Sequence, residues 1–410
     1  MKYGLIGEKL GHSFSKDIHA QLGDYEYEPR EIERDSLEAF MTERDFLGIN
    51  VTQPYKEAVI PYLDEIDGVA LEIGAVNTIV NRDGRLYGYN TDFYGMSMLF
   101  DYAGIDASGK KVAILGTGGT SKTAHAVLNS LGAREIIKVS RSGRDGAITY
   151  GELYQMHADV EIVVNTTPVG MYPNIFGSPV DISGFSSLQG VIDAVYNPLN
   201  STLVQAARER GIPAEGGLYM LVGQALKASE LFVGTKYPSF MLDVIYEGIK
   251  AEKENVVLIG MPASGKSTIG KILAEKIGCE FVDTDELIVE KMKMPIKDFF
   301  DQYGEKKFRQ LESEVIRGLV GRGGIVIATG GGAILREENI KALKYNGVLY
   351  FIDRPLDKLI PTASRPLSSD RASIEKIYNE RYPIYRSCCD QHINAEMDAM
   401  AVADKILENF

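Results

Sequence analysis

Twice along this chain an apolar, strand-like run breaks into a glycine-rich turn and then a helical pattern. A strand–turn–helix corner of this kind belongs to open α/β sheets with phosphate-binding edges, so the pair restricts the fold class to α/β. The first corner is Lys110-Lys111-Val112-Ala113-Ile114-Leu115-Gly116, followed by Thr117-Gly118-Gly119-Thr120-Ser121. The second is Asn255-Val256-Val257-Leu258-Ile259-Gly260, followed by Met261-Pro262-Ala263-Ser264-Gly265-Lys266-Ser267. The two turns differ in type and do not mark a duplication. Strand-like and helical runs alternate through the remainder. With 410 residues the chain suits two or three domains. The predicted division is an α/β unit over 1–95, a second over 96–224 with the first turn, helical runs over about 225–250 packing back on the first unit, a charged linker at 250–254, and a compact P-loop domain over 255–410.

Composition removes several classes of function. Apolar residues make up 45% and charged residues 25%, as in folded soluble proteins. No run approaches the roughly 18 to 20 apolar residues that span a bilayer, so no membrane partner is expected. Residues Met1 to Gly7 lack a basic segment and apolar core, so no secretory signal is read and a cytoplasmic setting is expected. Net charge is −13 without a basic stripe, which argues against nucleic acid. An anionic ligand would therefore need placed Arg, Lys or helix N-termini. Cys279, Cys388 and Cys389 fit neither a zinc site nor a redox pair, and the five histidines form no cluster.

Gly260 to Ser267 fits G-x-x-x-x-G-K-S in full. Backbone N–H groups of such a loop curl around phosphate oxygens, Lys266 supplies charge to the β- and γ-phosphates, and Ser267 can ligate Mg2+. Ala263 stands where glycine is common. The following helix places Ile269, Ile272, Leu273 and Ile277 on one face, with the stem of Lys276 lying along it. Asp283 and Asp285 end the next apolar strand. As i and i+2 of a strand both carboxylates would face the crevice, one holding Mg2+ through water and the other orienting an attacking hydroxyl. The alternative is that they cap the next helix. Arg309 is read just ahead of a helix, Gly330-Gly331-Gly332 follows a strand and lets substrate approach the backbone, and Arg365 and Arg381 lie further on. Each arginine alone reads as a surface charge; together they suggest an anionic substrate beside a phosphoryl-transfer site.

With these pieces, plus Phe308, Pro366-Leu367 and Tyr382-Pro383-Ile384-Tyr385, residues 255–410 resemble shikimate kinase. The resemblance implies a P-loop fold of the nucleoside-monophosphate-kinase type. ATP would lie on Gly260, Ala263, Ser264, Gly265, Lys266, Ser267 and Thr268, with Mg2+ on Ser267 and Asp283. It implies that Asp285, Arg309, Gly331 and Arg381 hold shikimate, and that Asp285, Lys266 and Arg365 act in catalysis, Arg365 from a mobile lid that closes over ATP. Such lids often carry a second Arg; here Lys358 is the nearest basic residue before Arg365.

The first turn, Gly116 to Ser121, lacks the third glycine of G-x-G-x-x-G and is a weak dinucleotide signal by itself. The next strand ends in Ser140-Arg141-Ser142. Arg141 there favours a ribose 2′-phosphate and hence NADP(H), unless it is simply an exposed turn residue. In the first unit, Ser13 and Ser15 precede a helical run and could cap it. Lys56 lies beyond a strand that breaks at Pro54; alone it reads as a solvent lysine, and Asp92 as a helix N-cap.

As a set, Ser13, Ser15, Asn50-Val51-Thr52, Lys56, Asn77, Asn90-Thr91-Asp92, Asn165-Thr166-Thr167-Pro168, Tyr196, Gly217-Leu218-Tyr219-Met220 and Gln224 resemble shikimate dehydrogenase over residues 1 to about 250. The resemblance implies an α/β substrate domain joined to a Rossmann-like NADP domain. Ser13 and Ser15 would bind the substrate carboxylate. Thr52, Asn77, Asp92 and Gln224 would bind hydroxyls, with Tyr196 beside them and Lys56 and Asp92 as the catalytic pair. Gly116, Gly118, Gly119, Arg141 and Gly217 would hold the dinucleotide. Gln53 and Phe93 replace the commoner Val and Gly. The two resemblances join chemically: the first half would reduce 3-dehydroshikimate to shikimate with NADPH, and the second would phosphorylate the new hydroxyl with ATP and Mg2+. The alternatives are an NAD-using quinate or shikimate dehydrogenase fused to a kinase, or one half surviving as a binding module. Oligomeric state stays open, a homodimer included.

Overall fold

The computed structural model describes residues 1–10, 14–144, 146–360 and 370–408. Ser13 and Arg365 lie outside them. The chain divides into two units, Met1–Ile249 and Lys250–Phe410. Among the described residues the strands form three sheets, of six, five and five strands, and no helix is long and apolar enough to cross a membrane.

The first sheet contains β1 (Tyr3–Gly7), β2 (Tyr27–Glu31), β3 (Gly48–Val51), β4 (Glu65–Ile66), β5 (Thr78–Arg82) and β6 (Arg85–Tyr89), in the order β2-β1-β3-β5-β6-β4. It is mixed: β1 is parallel to β2 and β3, whereas β5 runs antiparallel to β3 and β6. The second sheet is parallel throughout: β7 (Lys111–Leu115), β8 (Glu135–Val139), β9 (Ile162–Asn165), β10 (Gly190–Asp193) and β11 (Ala214–Glu215), ordered β11-β10-β9-β7-β8. Its central strands are buried end to end because both faces are covered. The glycine turn leaves β7 where the strand order reverses, the place at which open α/β sheets bind ligands.

Helix Thr91–Ala103 packs against helix Leu218–Val233, and their apolar residues share a core with helices Ser15–Leu22 and Met241–Lys253. The two long helices meet at glycines. A Cβ on Gly95 would lie 2.4 Å from the Met220 carbonyl oxygen, and one on Gly223 would lie 3.1 Å from the Gly95 Cα. That close approach, in which Gln224 itself takes part, sets Gln224 and Asp92, one turn before Gly95, into a common cleft.

Asp193, at the end of β10, is fully buried and accepts hydrogen bonds from Asn165 Nδ2 (2.8 Å), Val195 N (3.0 Å) and Ser201 Oγ (2.5 Å). Burial pushes its carboxyl up to about 6, against the lowering pull of those three donors. An acid with a raised folded pKa keeps its proton in the folded state across the window between about 4 and about 6. The folded form then binds more protons than the unfolded one, and stability falls as pH rises through that window. The stability advantage of the native chain over Asp193→Asn, read from urea midpoints, should therefore shrink from about pH 4 to about pH 6 and stay level above. An advantage that grows over this range would contradict it.

The third sheet is also parallel: β12 (Asn255–Ile259), β13 (Glu280–Asp283), β14 (Ile325–Ala328), β15 (Gly347–Asp353) and β16 (Gln391–Asn394), ordered β13-β14-β12-β15-β16. The segment 250–254, read as a linker, is helical through Lys253, and two other expectations change here. Ile249 is buried, and Lys250 and Lys253 suit the negative end of the helix dipole, so the helix runs almost to β12. Asp285 is in the first turn of helix Thr284–Met292 rather than on the strand, because Asp283 caps that helix by accepting from Asp285 N at 2.9 Å. Arg309 lies inside helix Ile296–Leu319, which is kinked at Gly304 (φ 77°, ψ 166°), instead of ahead of a helix. The apolar helix face read after the P-loop is present in Lys266–Ile277: Ile269 and Leu273 are buried, Ile272 and Ile277 partly so, and the Lys276 ammonium pairs with Asp404.

Candidate functional site

The N-terminal unit holds a cleft of about 410 Å³, a size suited to one small molecule. Its walls come from β3, the helix starts at Ser15, Tyr55 and Thr91, the segment around Tyr196 and helix Leu218–Val233. Ser15, Thr52, Lys56, Asn77, Asp92, Tyr196 and Gln224 all line it, so residues spread over more than half of this unit's sequence meet in one place. Lys56 Nζ stands 2.6 Å from Asp92 Oδ2, with the side chains only 17% and 11% exposed. The readings of Lys56 as a solvent lysine and Asp92 as a helix cap are both displaced; the cap is Asn90, whose side chain accepts from Phe93 N.

The floor of the cleft is a closed polar network. Asn77 Oδ1 accepts from Thr91 N at 2.7 Å, and its Nδ2 donates to Thr91 Oγ1 at 3.1 Å. Asn50 Nδ2 donates to Thr78 Oγ1 at 3.0 Å, while Asn50 Oδ1 accepts from the Tyr27 hydroxyl at 2.8 Å. Such buried amides hold one orientation because each polar atom has its partner. Thr78, Thr91 and Tyr27 were not among the predicted residues. Thr91 sat inside a quoted motif; Tyr27 comes from β2, across β1 from the strand of Asn50, and no spacing reveals it. Ser15 opens its helix without capping it, as the cap position is Phe14. Burial raises the Tyr196 hydroxyl pKa, and the ring meets Phe14 edge-on.

The dinucleotide-type turn reaches the same cleft. A Cβ on Gly119 would lie 4.0 Å from Lys56 Cδ, and one on Gly118 3.9 Å from Gln53 Nε2. Gly116 takes φ 109° against Thr166. Gly217 precedes helix Leu218–Val233 where a Cβ would strike the Ala194 backbone, so its glycine has a packing cause there. Arg141 is exposed two residues past the end of β8, the strand beside β7, and does not line the Lys56 cleft. Phe93 packs partly buried against the core.

The C-terminal unit has a cavity of about 690 Å³ that extends from the P-loop to helix Ile296–Leu319. Ala263, Gly265, Lys266, Ser267, Thr268, Asp283, Asp285, Arg309, Gly331 and Arg381 line it. Gly260 and the buried Ser264 complete the loop behind. Lys266 Nζ rests 2.9 Å from the carbonyl oxygens of Gly260 and Met261. Ala263 takes the left-handed conformation, φ 65°, which explains why glycine is common at that point. Ser267 Oγ donates to Asp283 Oδ2 at 2.6 Å. A hydroxyl and a carboxylate at that spacing suit Mg2+, which takes few protein ligands and completes its shell with phosphate and water.

Arg309 is buried and gripped from within its own helix. Its Nη1 lies 3.0 and 2.8 Å from the two carboxylate oxygens of Glu312, its Nη2 is 3.2 Å from Glu305 Oε1, and its buried Nε has no partner. Burial pushes the Glu312 carboxyl up while Arg309 pulls it down. Arg381 Nη1 donates to the Gly331 carbonyl oxygen at 2.8 Å, and the Tyr385 hydroxyl lies 2.6 Å from the same oxygen. Burial holds the Arg381 pKa down. The glycine run that lines the cavity also has a packing cause: a Cβ on Gly330 would meet Asp285 and Glu312, one on Gly331 would meet Pro262, and one on Gly332 would enter the Arg309 guanidinium at 2.2 Å. Gly330 and Gly332 make room for charged side chains, and Gly331 for a proline. Glu312 and Tyr385 were missed, although each is one turn from a predicted arginine, at i+3 and i+4.

With this geometry in hand, the comparisons are direct. Residues 262–410 match shikimate kinase, and residues 5–79 match the shikimate dehydrogenase substrate binding domain. The chain is 37% identical over 266 residues to the shikimate dehydrogenase (NADP(+)) of Clostridium perfringens (strain SM101 / Type A), across 60% of this chain and 98% of that enzyme. It resembles the solved shikimate dehydrogenase 1 of Peptoclostridium difficile with 39% identity and a TM-score of 0.56, covering 61% of this chain and 98% of that one. The Thermus thermophilus shikimate 5-dehydrogenase, solved in complex with NADP(H) and shikimate, gives 27% identity and a TM-score of 0.55, covering 60% and 99%. The chain therefore belongs to the shikimate dehydrogenase family in its N-terminal unit and carries a shikimate kinase domain in its C-terminal unit, two activities on one polypeptide.

Proposed function

We propose that the N-terminal unit reduces 3-dehydroshikimate to shikimate and that the C-terminal unit phosphorylates the hydroxyl so made. The observation that carries the first step is the Lys56–Asp92 pair, 2.6 Å apart in a cleft lined by Asn77 and Gln224. NADPH, when bound along the glycine turn, supplies the hydride. Lys56 then gives its proton to the oxygen that becomes an alkoxide, and Asp92 holds the ammonium in line. Asn77, Gln224, Thr52, Tyr196 and Ser15 orient the ring and its carboxylate. In the second unit ATP supplies the phosphoryl group and Mg2+ the charge that steadies it. Ser267 and Asp283 would hold the metal, Lys266 the phosphates, Asp285 the attacking hydroxyl, and Arg309 and Arg381 the carboxylate.

Incubating the protein with 3-dehydroshikimate, NADPH, ATP and Mg2+ should convert the acid to shikimate 3-phosphate, identified by mass. Accumulation of shikimate alone would remove the kinase reading, and recovery of 3-dehydroshikimate would remove the first. Arg141 is assigned to the 2′-phosphate. Arg141→Ala should cut the preference for NADPH over NADH by about tenfold or more, through the KM for NADPH. An unchanged ratio of the two kcat/KM values would refute that assignment.

A further inference from the structure

β15 is the parallel neighbour of β12, with Ile259 opposite Phe351, so the chain beyond Phe351 runs alongside the P-loop. Asp353 ends β15 and is held by the Tyr382 hydroxyl (2.9 Å) and His392 Nε2 (2.7 Å). The next residue is Arg354. Its Nη1 lies 3.7 Å from where a Cβ on Gly265 would stand, and Gly265 has φ 94°. Its Nε is buried without a hydrogen-bond partner, and among the described residues no carboxylate forms an ion pair with it. A guanidinium beside a phosphate loop, with a buried donor unspent, is costly unless a ligand takes it.

Its location selects which part of the ligand. The cavity with Asp285, Arg309 and Arg381 opens on the β13–β14 side of the loop, and Arg354 does not line it. A nucleoside triphosphate whose terminal phosphate points into that cavity must carry its α-phosphate and nucleoside toward β15 and β16. Lys358, the basic residue nearest before the lid arginine, is turned aside, with its Nζ 3.4 Å from the Glu396 carbonyl oxygen.

We propose that Arg354 is a nucleotide-binding residue of the kinase unit, gripping the α-phosphate and nucleoside end of ATP beside Gly265. This rests on the reading of the unit as an ATP-dependent kinase. The test is calorimetric binding of ADP and of inorganic tripolyphosphate, with Mg2+, to the full chain. Arg354→Ala should weaken ADP about tenfold or more and tripolyphosphate by clearly less, since tripolyphosphate offers Arg354 a terminal phosphate in the α position but no nucleoside. Retained tripolyphosphate binding also reports an intact loop. Arg354→Lys should fall between, because a point charge replaces a planar fork. ADP affinity that survives Arg354→Ala, or equal weakening of both ligands, would overturn this inference alone. Failure of the unsubstituted chain to bind ADP would overturn the kinase reading and this inference with it.

Discussion

Lys56→Ala should lower the kcat of NADPH-dependent reduction by about 10²- to 10⁴-fold while the KM for the ketone changes little. The ground for the large kcat effect is geometric. The ammonium has one carboxylate partner at 2.6 Å and sits in a cleft wall with 17% of its side chain exposed, where little water can replace it as a proton donor. Asp92 is held there by the first turn of a helix whose approach to its neighbour is set at Gly95 and Met220. Its position therefore does not depend on Lys56. Asp92→Asn keeps the shape and removes the charge, so it should also act mainly on kcat. Shikimate phosphorylation by the same variants provides an internal control for the second unit. A rise in KM with kcat unchanged would mean that Lys56 only binds the substrate.

Arg309→Met should abolish shikimate phosphorylation and destabilise the C-terminal unit by about 3 kcal/mol or more. The activity loss follows from removing one of the two buried guanidiniums that face the cavity. The stability loss follows from Glu312, whose side chain is 1% exposed and would be left without the Arg309 Nη1 that now serves both its oxygens. Burial already raises the Glu312 pKa, and without Arg309 the main pull in the other direction is gone. The double variant Arg309→Met/Glu312→Leu should recover most of the stability and none of the turnover, because an apolar pair can replace a buried ion pair. Urea midpoints and phosphorylation rates together decide the matter. Turnover retained in the single variant would show that Arg309 is only a structural partner of Glu312. Gly332→Ala should reproduce much of the activity loss, since its methyl would occupy the guanidinium position.

The local pieces of both sites were readable in the chain because each is a short contiguous code. The loop from Gly260 to Ser267 lies between β12 and helix Lys266–Ile277, and the turn from Gly116 lies between β7 and helix Gly119–Ser130. What misled was the state of residues beside an element boundary. Asp285 was read on a strand and Arg309 before a helix. A capping carboxylate at Asp283 and a kink at Gly304 decide those boundaries, and propensity alone does not separate them by a few residues. The glycine run 330–332 was legible as a place that cannot carry a side chain. Its cause was not, because the atoms that exclude the side chains belong to Asp285, Glu312, Pro262 and Arg309, all distant in sequence from the run.

Order along the chain thus determined the α/β class, the two phosphate turns and the inventory of charged and amide groups, since these depend on neighbours within a few residues. Folding alone decided that Lys56 meets Asp92, that Tyr27 steadies Asn50, and that Arg354 comes to rest beside Gly265. The physical reason is that burial and pairing energies act between groups brought together by sheet order and helix packing, and no spacing in a linear sequence encodes that distance.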